Sequence, residues 1–94
     1  MPKKRYKVLL HQQALAEIKK LPKKFKEKVK ERIDNLVEQP VPPDARGLKG
    51  RKNAYRIRVG KYRILYEVNV REIVVYVIGI GHRKEVYRLL LRRR

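Results

Sequence analysis

The residues best suited to chemistry in this chain are arginines that alternate with apolar residues over positions 55–66. Such alternation is typical of strands with one buried face. Gly60 and Lys61 fit the two-residue turn of a type II′ hairpin, in which Gly supplies the positive φ. A turn at these residues predicts that Arg58 lies directly opposite Arg63. Because two facing like charges weaken a hairpin, we interpret this pair as a binding site for an anion.

Further candidates follow the next strand, which we predict over Glu72 to Ile80. A three-residue turn at 69–71 predicts that Arg63 lies opposite Val77 in an antiparallel meander. The end of this strand then meets the hairpin turn at one end of the sheet. Guanidinium groups bind phosphates, and aromatic rings stack on unpaired bases, so the residues gathered there predict an RNA site. The predicted patch contains Arg58, Arg63, His82 and Arg83, with Tyr87 at its rim.

Each candidate also has a structural interpretation. Arg56 and Arg58 alone fit a solvated face, whereas opposed arginines with few acids nearby favour anion binding. His82 fits an exposed loop histidine as well as a catalytic one, and Tyr87 fits the packing of a closing helix as well as a substrate contact. The loop before the hairpin adds the basic RNA-binding candidates Lys49, Arg51 and Lys52.

Composition limits the class of protein. The 94 residues are 43% hydrophobic, enough for one domain spanning residues 1–94. The formal net charge of +18 is large for this length and predicts an acidic partner: nucleic acid, an anionic membrane surface or an acidic protein.

Several classes of site and location are not expected. The chain has no cysteine, which excludes disulfides and thiolate zinc sites. His11 and His82 alone do not make a convincing metal site, so we expect no metal and no other cofactor. No apolar run approaches the length of a membrane span, and no signal-peptide core follows the basic N-terminus. The cytoplasm is therefore the expected location, with no membrane partner.

The hydrophobic pattern predicts an α+β fold with the order β-α-α-β-β-β-α. A small antiparallel sheet carries an N-terminal helical hairpin on one face, packed against the apolar side of the 55–66 hairpin. The arginines then occupy the opposite face. Besides the 55–66 hairpin and the strand over Glu72 to Ile80, the sequence predicts a first strand over Tyr6 to Leu10. The predicted helices cover Gln12 to Leu21, Lys23 to Glu38 and Glu85 to Leu91.

Three segments in this order resemble the RelE branch of the RelE/ParE toxin superfamily. They are L-K-G at 48–50, Y-R-I-R-V-G-K-Y-R-I-L-Y at 55–66 and V-I-G-I-G-H-R-K-E-V-Y at 77–87. The resemblance covers nearly the whole chain. It implies a toxin that enters the ribosomal A site, binds rRNA and mRNA, and cleaves the mRNA there. It also implies a cognate acidic antitoxin as a partner.

The resemblance carries roles onto individual residues. Arg63 matches the arginine that contacts the scissile phosphate, Arg83 the proposed acid for the leaving 5′-oxygen, and Tyr87 the tyrosine that orients the substrate base. Arg56 and Arg58 stand where the best-known RelE has two lysines, one of them the proposed general base. Arginine stays protonated, so here these positions fit phosphate clamps better than bases.

The identity of the general base is therefore open. His82 is the nearby residue with a pKa suited to proton transfer at neutral pH, and related toxins use a histidine near this end of the sheet. Arg46 stands at the loop position where the YoeB branch has a glutamate. The implied reaction is a metal-free transesterification, with weak activity on free RNA because the ribosome supplies part of the geometry. The alternatives are a ParE-like inhibitor of DNA gyrase and a basic RNA-binding module without chemistry.

Overall fold

The computed structural model describes residues 4–82 and 92–93 and confirms the α+β class. The predicted closing helix over Glu85 to Leu91 lies outside the described residues. The elements are β1 (Lys7–Leu10), α1 (Gln12–Lys20), α2 (Lys23–Asn35), β2 (Arg46–Gly47), β3 (Ala54–Val59), β4 (Tyr62–Asn69) and β5 (Val74–Gly81).

The five strands form one sheet in the order β1-β5-β4-β3-β2. Strands β3, β4 and β5 form the predicted antiparallel meander. The prediction of a wholly antiparallel sheet is wrong at one edge, because β1 pairs parallel to β5. Parallel neighbours need a long crossover, and both helices and the rest of the meander provide it. The two-residue strand β2 forms the other edge, within a segment predicted as loop.

The core lies between the helices and one face of the sheet, as predicted. Helical residues at spacings of three and four present one apolar stripe, and inward strand residues alternate toward it. The opposite face is less polar than predicted, because Leu65 and Ile78 are also fully buried there, beside Leu48 and Tyr76. The main cluster includes Ala14, Ile18, Val29, Ile33, Leu36, Ile57, Ile64, Tyr66, Val75 and Val77.

The β3–β4 hairpin has the predicted register, with Val59 opposite Tyr62 and Arg58 opposite Arg63. Gly60 has φ +58, while Lys61 is not among the positive-φ residues, as a type II′ turn requires. A Cβ atom at Gly60 would lie 2.7 Å from Cε1 of Phe25 on α2. The glycine therefore allows both the turn and its close approach to the helix.

The register between β4 and β5 differs from the prediction. Arg63 lies opposite Gly81 and not Val77. One cause is a longer turn, residues 70–73, in which the Asn69 side chain accepts from the Glu72 backbone N–H at 2.9 Å. The other is a β-bulge, because Leu65 faces Gly79 while Tyr66 faces Val77. The bulge inserts one extra residue and reverses which side of the sheet the later residues of β5 face.

Side chains from distant segments satisfy the backbone at this bulge. The Ile80 N–H donates to Oε1 of Glu17 on α1 at 3.1 Å, and Arg93 donates to the Ile78 carbonyl at 3.3 Å. Arg93 also binds both carboxylate oxygens of Glu17, at 3.0 and 2.8 Å. Because buried backbone groups need partners, these contacts hold the end of β5 in its irregular path.

Tyr66 anchors the sheet to the loop after α2. Its side chain is fully buried, and its hydroxyl donates to the Pro40 carbonyl at 2.7 Å. Burial, with a smaller contribution from Tyr55, raises the pKa of Tyr66 well above its usual value. Since the phenol holds its proton more tightly when folded, its stabilising contribution is complete below the unfolded pKa of about 10 and declines above it.

The substitution Tyr66→Phe should therefore cost stability in a pH-dependent way. At neutral pH the loss of the hydrogen bond should lower the free energy of unfolding by about 1 kcal/mol. Above about pH 10 the wild type loses this advantage, so the two unfolding curves should converge. Urea titrations at both pH values measure the difference, with Tyr76→Phe as the control for loss of one phenol. A Tyr66→Phe deficit that stays constant to about pH 11 would contradict the assignment.

Candidate nucleic-acid interface

Two pairs of arginines face each other across neighbouring strands on the outward side of the sheet. Arg58 of β3 lies opposite Arg63 of β4, as predicted. Arg56 of β3 lies opposite Arg46 of β2. Alternation along β3 puts Arg56 and Arg58 on the same face, away from the helices. Four guanidinium groups thus lie on one surface of three adjacent strands.

Arg46 is the member of this set that was missed as a candidate site residue. A strand of two residues, Arg46–Gly47, is too short to show alternation, so the sequence there reads as loop. The charge of Arg46 was visible, but its partner strand was not. Only the pairing of β2 with β3 places it beside Arg56.

The electrostatic environment of the pairs is positive. Partial burial, followed by the positive charges of Arg58 and Arg56, lowers the pKa of the Arg63 guanidinium below its usual value. Among the described residues, no ion pair engages Arg46, Arg56 or Arg58. An anion placed between these side chains would relieve their mutual repulsion.

An open groove of about 390 Å³ runs beside the arginines of β2 and β3, lined by Asp44, Arg46, Arg56 and Arg58. Asp44 is the acidic group in this groove. Arg32 of α2 binds its carboxylate, which compensates its charge. The groove therefore keeps a positive balance despite the carboxylate.

His82 lies at the same end of the sheet as the Arg58–Arg63 pair but on the side of Tyr62, opposite to the face that carries the arginines. It is exposed and directly follows Gly81, the residue opposite Arg63. Its ring meets the Tyr62 ring edge-on at 5.9 Å, and Tyr62 in turn packs edge-on against Phe25 at 5.0 Å. The β-bulge explains why His82 lies on the side of Tyr62, because it reverses the alternation of side chains along β5 before His82.

The predicted patch is thus only partly described. The structure brings Arg58 and Arg63 together on one face, with His82 near the end of the neighbouring strand. Arg83 and Tyr87 lie outside the described residues, so their places in the patch stay predictions.

The basic residues of the loop before β3 lie at the opposite end of the sheet. Strand β3 has six residues and so spans about 17 Å, which separates the loop from the hairpin turn. Lys49 and Lys52 are exposed there. Arg51 instead binds Glu67, with Nε 2.9 Å from Oε2 and side chains only 21% and 11% exposed. The structure does not bring these candidates to the arginine pairs.

Removing Arg51 should therefore destabilise the fold. The substitution Arg51→Met leaves the largely buried Glu67 carboxylate without this partner and should lower the free energy of unfolding by about 2 kcal/mol. The double substitution Arg51→Met/Glu67→Met should recover most of that loss, because it removes the buried charge as well. Urea denaturation measures both, with Lys52→Met as the exposed control. Equal stability of Arg51→Met and Lys52→Met would contradict a structural role for the pair.

Other features of the described part of the chain lie away from this surface. A groove of about 650 Å³ is found at the far end of the sheet, beside Asn69 and Val74. Within residues 4–82 and 92–93, no three potential His, Asp or Glu metal ligands cluster together. No helix in these same ranges has the length and apolar character needed to cross a bilayer.

Comparison with known proteins assigns this fold to a family. Residues 8–87 match the family described as ParE toxin of type II toxin–antitoxin system, parDE. The chain belongs to the RelE/ParE toxin superfamily. The protein called mRNA interferase toxin RelE, from Escherichia coli K12, is 33% identical over 86 residues, covering 87% of this chain and 90% of that one.

Solved RelE structures share the architecture along most of the chain. A double mutant of the E. coli toxin RelE in the free state has a TM-score of 0.79 at 28% identity, covering 94% of this chain and 96% of the other. The archaeal RelE–RelB complex from Pyrococcus horikoshii OT3 has a TM-score of 0.77 at 32% identity, covering 85% and 97%. The RelE/ParE resemblance of the sequence motifs is thereby confirmed.

Proposed function

We propose that this RelE/ParE protein is an endoribonuclease that cleaves mRNA in the ribosomal A site and so inhibits translation. The observation that carries the proposal is the facing pair Arg58 and Arg63 on an outward strand surface, where each lies in the positive field of the other. Such a pair is suited to a phosphate diester. The similarity to a protein named mRNA interferase toxin RelE supports the same substrate.

The reaction is a transesterification within the RNA. The 2′-hydroxyl oxygen attacks the adjacent phosphorus in line, and the bond from phosphorus to the 5′-oxygen breaks. The products are a 2′,3′-cyclic phosphate and a free 5′-hydroxyl. The proton of the 2′-hydroxyl passes to a base and the 5′-oxygen receives a proton, so atoms and charge balance without a metal ion.

Arg58 and Arg63 supply charge stabilisation in this scheme. Negative charge grows on the non-bridging phosphate oxygens as the new bond forms. Guanidinium groups that are already in place therefore bind the transition state more tightly than the ground state. Arg56 extends the cationic surface along β3. Because arginines stay protonated, they act as clamps and not as bases.

His82 is the proposed base for the 2′-hydroxyl. Histidine is the side chain that most often acts as a general base, and His82 follows the residue opposite Arg63. The contact with Tyr62 holds its ring at the end of the sheet. Arg83 is the proposed proton donor for the 5′-oxygen, and Tyr87 the proposed contact to the substrate base.

The net charge of +18 fits partners that are polyanions or acidic proteins. The proposed partners are the ribosome with its mRNA and an acidic antitoxin that covers the arginine face until release. A RelE from P. horikoshii is solved with RelB, which supports a protein partner of this kind. Part of the in-line geometry comes from the ribosome, so free RNA is a poor substrate.

The test is cleavage of mRNA by the purified protein, on programmed ribosomes and free in solution. Cleavage on ribosomes with cyclic phosphate ends is expected, together with much slower cleavage of free RNA. Equal rates on both substrates would overturn ribosome dependence. A DNA supercoiling assay runs alongside: inhibition of gyrase without RNA cleavage would assign the ParE-type activity, and RNA binding without either activity would assign a binding module.

A further inference from the structure

We infer that Arg46 and Arg56 form a second phosphate site, which holds a neighbouring phosphate of the mRNA strand whose scissile phosphate binds Arg58 and Arg63. This inference rests on the proposed function and extends it. Its first support is the register, since Arg46 of β2 lies directly opposite Arg56 of β3. Two opposed cationic pairs therefore follow one another along the same outward surface.

The strand pairing that creates this second site is short. Strand β2 is two residues long and contributes few ladder hydrogen bonds. Facing arginines weaken such a pairing further. A bound anion between Arg46 and Arg56 would turn this repulsion into attraction and strengthen the edge of the sheet.

The spacing of the two pairs suits a nucleic-acid backbone. Residues two apart on a strand are separated by about 7 Å, and neighbouring strands by about 4.8 Å. The centre of the Arg46–Arg56 pair is then about 8 Å from the centre of the Arg58–Arg63 pair, on a diagonal across β3. This distance fits phosphates close together on one extended strand, the arrangement by which basic grooves follow single-stranded RNA.

The groove beside the arginines of β2 and β3 has the charge to hold such a strand. It holds about 390 Å³ and is lined by Asp44, Arg46, Arg56 and Arg58. The Asp44 carboxylate would repel a phosphate, but Arg32 binds it from α2. Among the described residues, no ion pair engages Arg46 or Arg56, so their guanidinium groups remain available to an anion.

The experiment measures binding of a short single-stranded RNA to Arg46→Ala by fluorescence anisotropy at several salt concentrations, without ribosomes. Affinity should fall about threefold to tenfold, and the slope of log affinity against log salt should decrease by about one. Arg71→Ala is the matched control, because Arg71 is an exposed arginine in the turn at the other end of the sheet. A fall no larger than that of Arg71→Ala would overturn the second site.

A neutral linkage in the RNA locates the contact. A set of oligonucleotides is made in which each member carries one methylphosphonate at a different position. At one position near the scissile linkage, the neutral group should weaken binding to wild type but should not weaken binding to Arg46→Ala any further. If Arg46→Ala leaves oligonucleotide binding unchanged but weakens binding to empty ribosomes, the site takes an rRNA phosphate and the mRNA assignment is wrong. These binding measurements do not require cleavage. A failure of the nuclease proposal would instead be seen as a lack of mRNA cleavage by the wild-type protein.

Cleavage on ribosomes supplies a further check. Loss of a remote phosphate contact removes binding that is equal in the ground and transition states, so Arg46→Ala should raise KM with little change in kcat. A kcat deficit as large as that expected for Arg63→Ala would contradict a remote site and place Arg46 at the reacting phosphate. Arg46→Lys should recover much of the salt slope, because it restores the charge.

Discussion

Replacing Arg63 by alanine should lower the rate of mRNA cleavage on ribosomes by about 10²- to 10³-fold. Arg63 lies opposite Arg58 on one side and opposite Gly81, the residue before His82, on the other. Its loss removes a preorganised charge from the phosphate oxygens when their negative charge is greatest. Because this interaction strengthens in the transition state, kcat should fall more than KM rises. Single-turnover cleavage at saturating toxin measures the effect directly.

Two controls separate chemistry from charge and folding. Arg71→Ala removes the same net charge from a distant turn and should leave kcat within about twofold of wild type. Arg63→Lys keeps the charge but not the bidentate geometry, so its kcat should lie between those of wild type and Arg63→Ala. Equal kcat for Arg63→Ala and Arg71→Ala, in folded proteins, would remove Arg63 from the active site.

Gly60→Ala should be the most destabilising of three glycine substitutions, lowering the free energy of unfolding by about 3 kcal/mol. Two costs combine at this turn. The positive φ of +58 strains any L-residue, and the new Cβ would lie 2.7 Å from Cε1 of Phe25. A shift of the Phe25 ring would disturb its contact with the Tyr62 ring, which in turn contacts the His82 ring. Cleavage activity should therefore fall together with stability.

Two other glycines separate these costs. Gly50 has φ +75 but nothing within 4 Å of a built Cβ, so Gly50→Ala should cost about 1 kcal/mol from backbone strain alone. Gly47 has neither a positive φ nor a near neighbour, so Gly47→Ala should be neutral or slightly stabilising. Urea denaturation ranks the three. If Gly50→Ala lowers the free energy of unfolding as much as Gly60→Ala does, the close approach to Phe25 does not contribute to the cost.

The parts of the fold that depend on local patterns were predictable from sequence. Alternation and Gly60 determined the register of the hairpin, including the facing Arg58 and Arg63. Apolar spacing located both helices and the face that they cover. In each case the signal lies within one element or one turn, where side-chain periodicity and backbone preference agree.

The parts that depend on distant pairing were not predictable. The parallel place of β1 beside β5 joins segments more than sixty positions apart, and no local pattern specifies it. Arg46 became a site residue only through the pairing of β2 with β3. The bulge had one available signal, the glycine at position 79 within an apolar strand, since glycine there often marks an irregularity. Because neither the longer turn at residues 70–73 nor the bulge was expected, Arg63 was paired with Val77 and not with Gly81.

The bulge has a consequence for exchanging segments between relatives. One inserted residue determines which side chains after Ile78 face the helices, and Glu17 of the first helix accepts the N–H that the irregular strand presents. A chimera that takes its N-terminal helices from a protein without this carboxylate would leave that N–H without its acceptor. The first helix and the last described strand must therefore be transplanted together, although they are far apart in the sequence.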